Sequence, residues 1–212
     1  MSGRVRIKLC GMTRIEDARA AAELGADAVG LVFAAGGPRA LDPARGAAIA
    51  RALPPLVTRV ALFLDQDADF IARVLATVPV ELLQFHGRED AAFCRAFGKP
   101  WLKVVPMADV VEVPAFAAAY PDAAGFVLDS HGAGAAGGSG RTVDWSRAAA
   151  AVATVPRPLL LAGGLRPENV NAAVTAVKPW AVDASSGVEA SPGIKDHARM
   201  AAFIDEVRRG SA

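Results

Sequence analysis

A thiol and a carboxyl group are the two side chains of this sequence best placed to exchange protons with a ligand. Cys10 closes the run Lys8-Leu9-Cys10 before the turn Gly11-Met12-Thr13, and Asp129 ends a later apolar run, Gly125-Phe126-Val127-Leu128. Parallel α/β folds gather their chemistry where strands end and loops begin, so a base and an acid on two such ends could face one pocket. A free thiol with a pKa of about 8.5 is only a few per cent ionised at neutral pH. Lys8 lies two residues earlier on the same strand face, where its ammonium would raise the thiolate fraction and make Cys10 a better base.

Each residue also has a plainer reading. Free cysteine is among the most buried residue types, and packing is the expectation for Cys94, which shares a helical stretch with Phe93 and Phe97. Asp129 could cap a following segment. Residues 130–140 after it hold too few apolar groups to pack by themselves, which suits either a lid or a linker. A linker would cut the chain after its sixth strand, so the lid is favoured. Gly132, Gly134 and Gly137 in that stretch match G-x-G-x-x-G. More glycines follow where a helix should open, however, and Arg157 stands where a dinucleotide site needs an acid, so no nicotinamide or flavin is expected.

Two strands must be brought together for Cys10 and Asp129 to cooperate. Apolar runs at 5–9, 28–33, 57–64, 80–85, 101–105, 125–128, 159–161 and 181–182 read as eight strands. Stretches with helical spacing lie between them, such as Ile15, Ala18, Ala22 and Leu24, or Ala47, Ile49, Ala50 and Leu53, or Phe70, Val74 and Leu75. Asp17, Asp42, Asp67, Glu89 and Asp196 stand in or before first turns, where a carboxylate meets free amides. Gly25 and Gly98 follow helical stretches as stops. Unbroken alternation to a last helix around 200–207 favours a closed (β/α)8 barrel, a single domain over residues 1–212, against an open doubly wound sheet.

Strand parity then assigns faces. Arg6, Lys8 and Cys10 point inward, opposite Val5, Ile7 and Leu9; Gln84, His86, Asp129 and Asp183 fall on the inner face of their own strands. An inward Lys8 needs a partner, Asp183 or Asp129, because a buried charge is costly alone. The glycine turn Gly163-Gly164 follows the seventh strand, and Ser185-Ser186-Gly187 follows the eighth. Small residues let backbone amides approach an anion, and the loops after strands seven and eight are where barrels bind phosphate. Arg39, after Gly36-Gly37-Pro38, is a bidentate partner for a carboxylate.

Composition narrows the partners. The formal charge is +1, with no block of Lys or Arg, which argues against nucleic acid and anionic membranes and for a small-molecule substrate. Two distant cysteines and three histidines fit neither a disulfide framework nor a metal site. With no signal-like N-terminus and no run able to span a bilayer, a cytoplasmic protein is expected.

Taken together, Lys8-Leu9-Cys10-Gly11-Met12-Thr13, Leu83-Gln84-Phe85-His86-Gly87, Leu128-Asp129-Ser130, Gly137-Gly138-Ser139-Gly140 with Asp144-Trp145, Ala162-Gly163-Gly164-Leu165 and 182–189 resemble phosphoribosylanthranilate isomerase, in order and along the whole chain. The resemblance implies a (β/α)8 barrel that carries out a cofactor-free Amadori rearrangement in tryptophan biosynthesis. It implies Asp129 as general acid, protonating the furanose ring oxygen, and Cys10 as general base at the sugar C2. It assigns Arg39 to the anthranilate carboxylate, and Gly163, Gly164, Ser185, Ser186 and Gly187 to the phosphate. On these roles Asp129 should sit in a desolvated place that raises its pKa. Serine replaces a frequent threonine in the Gly-Gly-Ser-Gly string, and Gly36-Gly37 replace bulkier residues, changes that touch substrate affinity rather than the reacting groups. Monomer and homodimer both suit the chain. Other readings are a different sugar-phosphate isomerase or epimerase, a non-catalytic phosphosugar-binding protein and a thiol redox sensor.

Overall fold

The computed structural model describes residues 4–109, 111–132 and 142–211. Eight parallel strands close into a barrel: β1 (Arg6–Cys10), β2 (Ala28–Val32), β3 (Thr58–Phe63), β4 (Leu82–Phe85), β5 (Trp101–Pro106), β6 (Gly125–Asp129), β7 (Leu159–Leu161) and β8 (Ala181–Ala184). The open sheet is therefore excluded, since β1 pairs with both β2 and β8. Around the barrel lie α1 (Ile15–Leu24), α2 (Pro43–Arg51), α3 (Ala68–Thr77), α4 (Ala91–Arg95), α5 (Val113–Ala118), α6 (Trp145–Thr154), α7 (Pro167–Val177) and α8 (His197–Gly210). A hairpin that periodicity did not suggest, β9 (Glu189–Ser191) with β10 (Ile194–Lys195), follows β8. Of the proposed lid, residues 133–140, with Gly134 and Gly137 among them, lie outside the described residues. Because β6 pairs with β7 in the same barrel, that segment does not divide the fold as a linker would.

The period of two separates the core into two apolar layers. Ile7, Leu9, Leu31, Phe63, Phe85, Leu128 and Val182 face the helices, where Phe63 and Phe85 pack at 6.0 Å between ring centroids. Leu102, Val104, Val127, Leu160, Ala162 and Ala181 fill the barrel, with Trp180 packed against them. Arg6 lies over the Trp180 ring, 4.3 Å from its centroid, a cation–π contact. Polar inward residues occupy the C-terminal ends of the strands, above this filled floor.

Helix starts follow the aspartates. Asp42, Asp67 and Asp196 accept backbone amides of the first turns of α2, α3 and α8. Gly25 ends α1 at φ 97°, a conformation that favours glycine. Gly98, at φ 64°, comes after the end of α4. Two acids differ from their expected role. Asp90, not Glu89, caps α4; Glu89 is buried against Lys103 Nζ at 2.8 Å and accepts the Asp65 amide. Asp17 lies in the first turn of α1, but its side chain joins Arg14, His197 and the Lys195 amide. Cys94 packs in the outer layer as expected, fully buried, and burial pushes its thiol up to about 12. Among the described residues no helix is long and apolar enough to cross a membrane.

Candidate active site

A cavity of about 300 Å³ opens at the C-terminal ends of the strands. Cys10, Arg39, Gln84, His86, Asp129 and Asp183 line it, and so do Gly163, Gly164, Ser185 and Ser186. Residues assigned from six separate stretches of sequence thus share one space. Lys8 lies beneath, with Nζ 2.7 Å from Asp183 Oδ2, and the register pairs Lys8 with Asp183 across β1 and β8. Gly187 is not part of the lining. A Cβ there would stand 2.0 Å from the Leu165 carbonyl oxygen, so its absence lets the turn after β8 close against the turn after β7.

Cys10 is placed by glycines on both sides. Gly11 turns the chain at φ 77°, and the amides of Gly11 and Met12 both donate to the Gly30 carbonyl, at 2.9 and 3.0 Å. Gly30 is the β2 partner of Cys10 in register; a Cβ on it would lie 2.4 Å from the thiol sulfur. Burial pushes the Cys10 thiol above its usual range, Lys8 and Lys195 pull it down, and nearby Asp183 pushes it up again. The expected thiolate enrichment is therefore reversed in the free protein, because Asp183 occupies the Lys8 ammonium and burial outweighs what is left.

Asp129 departs from expectation in the opposite sense. Burial raises its carboxyl, but the hydrogen bond with His131 and the positive character of His131 and His86 win and hold it below the ordinary carboxylate range. His131 Nδ1 meets Asp129 Oδ1 directly. Burial lowers His86, against an opposing pull from Asp129. On the far wall, Arg39 clasps Glu189 with two bonds, Nε–Oε1 at 2.8 Å and Nη2–Oε2 at 2.7 Å. Lys195 Nζ reaches the same carboxylate at 2.8 Å and the Ser185 carbonyl at 3.1 Å. Two cations against one carboxylate leave this wall positive, which suits an anionic ligand.

Three lining side chains keep a buried polar atom without a protein partner among the described residues: Gln84 Oε1, His86 Nε2 and Asp183 Oδ1. Buried polar atoms are seldom left unpaired, so three on one cavity mark contacts reserved for a ligand. Gly163 and Gly164, at φ 76° and 62°, form the tight turn beside them. A thiol this buried and this hard to ionise is a poor redox sensor.

A family model described as N-(5'phosphoribosyl)anthranilate (PRA) isomerase matches residues 7–206. The N-(5'-phosphoribosyl)anthranilate isomerase of Alcanivorax borkumensis is 51% identical over 215 residues, covering 98% of this chain and 97% of that protein. The chain belongs to the phosphoribosylanthranilate isomerase family. Two solved isomerases share its architecture. One, in complex with reduced 1-(o-carboxyphenylamino)-1-deoxyribulose 5-phosphate, superposes with a TM-score of 0.83 at 38% identity, covering 96% of this chain and 98% of that one. The other represents monomers generated from the dimeric isomerase of Thermotoga maritima, with a TM-score of 0.84, 36% identity and the same coverages.

Four positions of this isomerase's site did not stand out from the sequence. His131 could have been found by carrying the β6 parity two residues past Asp129. Gly30 could have been found from the register opposite Cys10. Glu189 and Lys195 had no such signal, because the hairpin that brings them to Arg39 has no alternating pattern.

Proposed function

We propose that Asp129 and Cys10 supply the acid and base with which this phosphoribosylanthranilate isomerase turns N-(5'-phosphoribosyl)anthranilate into 1-(2-carboxyphenylamino)-1-deoxyribulose 5-phosphate in tryptophan biosynthesis. The carrying observation is that both side chains line one cavity with the turns after β7 and β8. Asp129 gives a proton to the furanose ring oxygen as the C1–O bond breaks, and the anilino nitrogen lone pair forms C1=N. Cys10 then takes the C2 proton, and the released electron pair makes the C1=C2 enolamine. Reprotonation at C1 with loss of the C2 hydroxyl proton gives the ketone.

In the free protein both pKa directions oppose this order, so each group has to change its protonation state once substrate is bound. Burial favours a neutral Asp129 and the hydrogen bond with His131 favours a charged one, so a substrate that expels water from the cavity shifts the carboxyl towards the protonated form that can give its proton to the ring oxygen. Ring opening then places a cationic C1=N beside the buried thiol. That charge acts with Lys8 and Lys195 to ease ionisation of Cys10 when a base is required. Glu189 holds Arg39 in line for the anthranilate carboxylate. The turns at Gly163-Gly164 and Ser185-Ser186, closed by Gly187, take the phosphate, and Gln84, His86 and Asp183 offer acceptors to the sugar hydroxyls. The whole chain, 1–212, works as one cytoplasmic catalytic unit, monomeric or homodimeric.

Purified protein should isomerise phosphoribosylanthranilate with no added metal or nucleotide. Cys10→Ser and Asp129→Asn should each lower kcat by at least about 100-fold, the scale of lost acid–base catalysis. Near-normal rates in either variant would end the role given to that residue. A KM unaffected by Arg39→Ala would end the role given to Arg39 at the anthranilate carboxylate.

A further inference from the structure

We propose that His86, Asp129 and His131 form a site for a borderline divalent cation, Zn²⁺, whose occupancy stops the isomerase by taking the carboxylate out of proton transfer. One ligand atom from each of the three buried side chains lies within 4.8 Å of the others. They converge from two strand ends: His86 directly follows β4, Asp129 ends β6, and His131 lies two residues beyond. The His86 and His131 rings stand 6.0 Å apart between centroids.

A second observation points to a ligand here. His86 is 8% exposed and lines the cavity, yet its Nε2 has no protein partner among the described residues. The donor set also matches zinc in kind. Two imidazoles and one carboxylate are a three-ligand zinc set, with the fourth position left for water or a substrate oxygen, and here the cavity supplies that open side. Bonds of about 2.0–2.2 Å place tetrahedral ligand atoms roughly 3.4 Å apart. Asp129 and His131 are in direct contact, so the site closes when those two part, and His86 moves in, to about that spacing. Mg²⁺ and Ca²⁺ prefer all-oxygen shells and do not suit two imidazoles.

Binding needs only these three side chains; the loss of turnover rests additionally on Asp129 being the acid. The two parts separate in one set of measurements on the intact chain. Zn²⁺ uptake is measured by competition with a chromophoric chelator, and Co²⁺ is added separately for its visible ligand-field bands. Wild-type protein should take up a single equivalent of Zn²⁺, show tetrahedral Co²⁺ bands, lose turnover in step with occupancy and recover it on chelation. His86→Ala and His131→Ala, with His86→Gln to preserve volume, should each weaken uptake at least about 10-fold, the lower scale seen for losses around metal sites. Cys10→Ser should keep it. No uptake by wild type, uptake unchanged in the histidine variants, or uptake lost in Cys10→Ser would overturn the site. Zinc held by the histidines with turnover intact would overturn the shut-off, and with it the acid role of Asp129.

Discussion

Gly30→Ala tests whether the position of the Cys10 sulfur limits the reaction. The added methyl carbon would lie 2.4 Å from Cys10 Sγ, 3.0 Å from its Cα and 3.1 Å from its Cβ. Non-bonded heavy atoms settle at about 3.5 Å or more, so the thiol has to retreat by roughly 1 Å. Gly30 does not have the positive φ that would itself penalise alanine, and its carbonyl still holds the amides of Gly11 and Met12. The barrel is therefore expected to fold, with an overpacking cost of about 1–3 kcal/mol. At this chain length that lowers Tm by roughly 2–4 °C per kcal/mol. A reacting group displaced by about 1 Å costs on the order of 100-fold in rate, about 2.7 kcal/mol of transition-state stabilisation. Steady-state kinetics should show that loss in kcat with KM little changed, because the phosphate turns and Arg39 are untouched. Adding Cys10→Ser to Gly30→Ala should cost much less than it does in the wild type, since the sulfur is already misplaced. A near-normal kcat in a folded Gly30→Ala protein would refute the reasoning.

Other perturbations give separate readings. Lys8→Met removes a charge that lowers the Cys10 thiol, so its titration, followed by thiolate ultraviolet absorbance, should move up; an unchanged titration would remove Lys8 from the mechanism. The same change strands Asp183 in the barrel and should cost about 3–5 kcal/mol in a denaturant melt, the scale of a broken buried ion pair. His131→Asn withdraws the partner that holds Asp129 down, so the carboxyl should titrate higher by infrared titration, and the alkaline limb of the pH–rate profile, where a general acid loses its proton, should move up with it; an unmoved limb would count against the acid role. Cys94 has a folded pKa pushed up to about 12. Its share of stability is complete below the ordinary thiol range and is lost as pH rises from there towards that value, by up to about 1.4 kcal/mol per pH unit. Cys94→Ala should flatten the alkaline arm of stability against pH, and equal slopes in the two proteins would contradict this burial.

The barrel and most of its site were legible because they obey short-range rules. Alternation placed Lys8, Cys10, Gln84, His86, Asp129 and Asp183 on one face, and the demand that a buried lysine be paired pointed at Asp183. Chain-distant balance was not legible. Glu89 reads as a helix cap until β5 is seen to carry Lys103 against it. The direction of the Cys10 and Asp129 pKa shifts is not legible either, because each is a contest between burial and partners, won at Asp129 by a histidine two residues away and at Cys10 by burial, with the nearby lysine already engaged by another carboxylate.

The chain of contacts from Arg39 through Glu189 to Lys195 and the Ser185 carbonyl has a geometric consequence for substrate choice. It ties the loop after β2, proposed above to meet the aromatic acid, to the turn after β8, proposed to meet the phosphate. The two anchors behave as the jaws of a caliper fixed by one shared carboxylate. On those proposed roles, a substrate one carbon longer than the ribosyl compound would have to spring Glu189 from Arg39 or Lys195, and the length of the sugar would be measured outside the place where its bonds are broken.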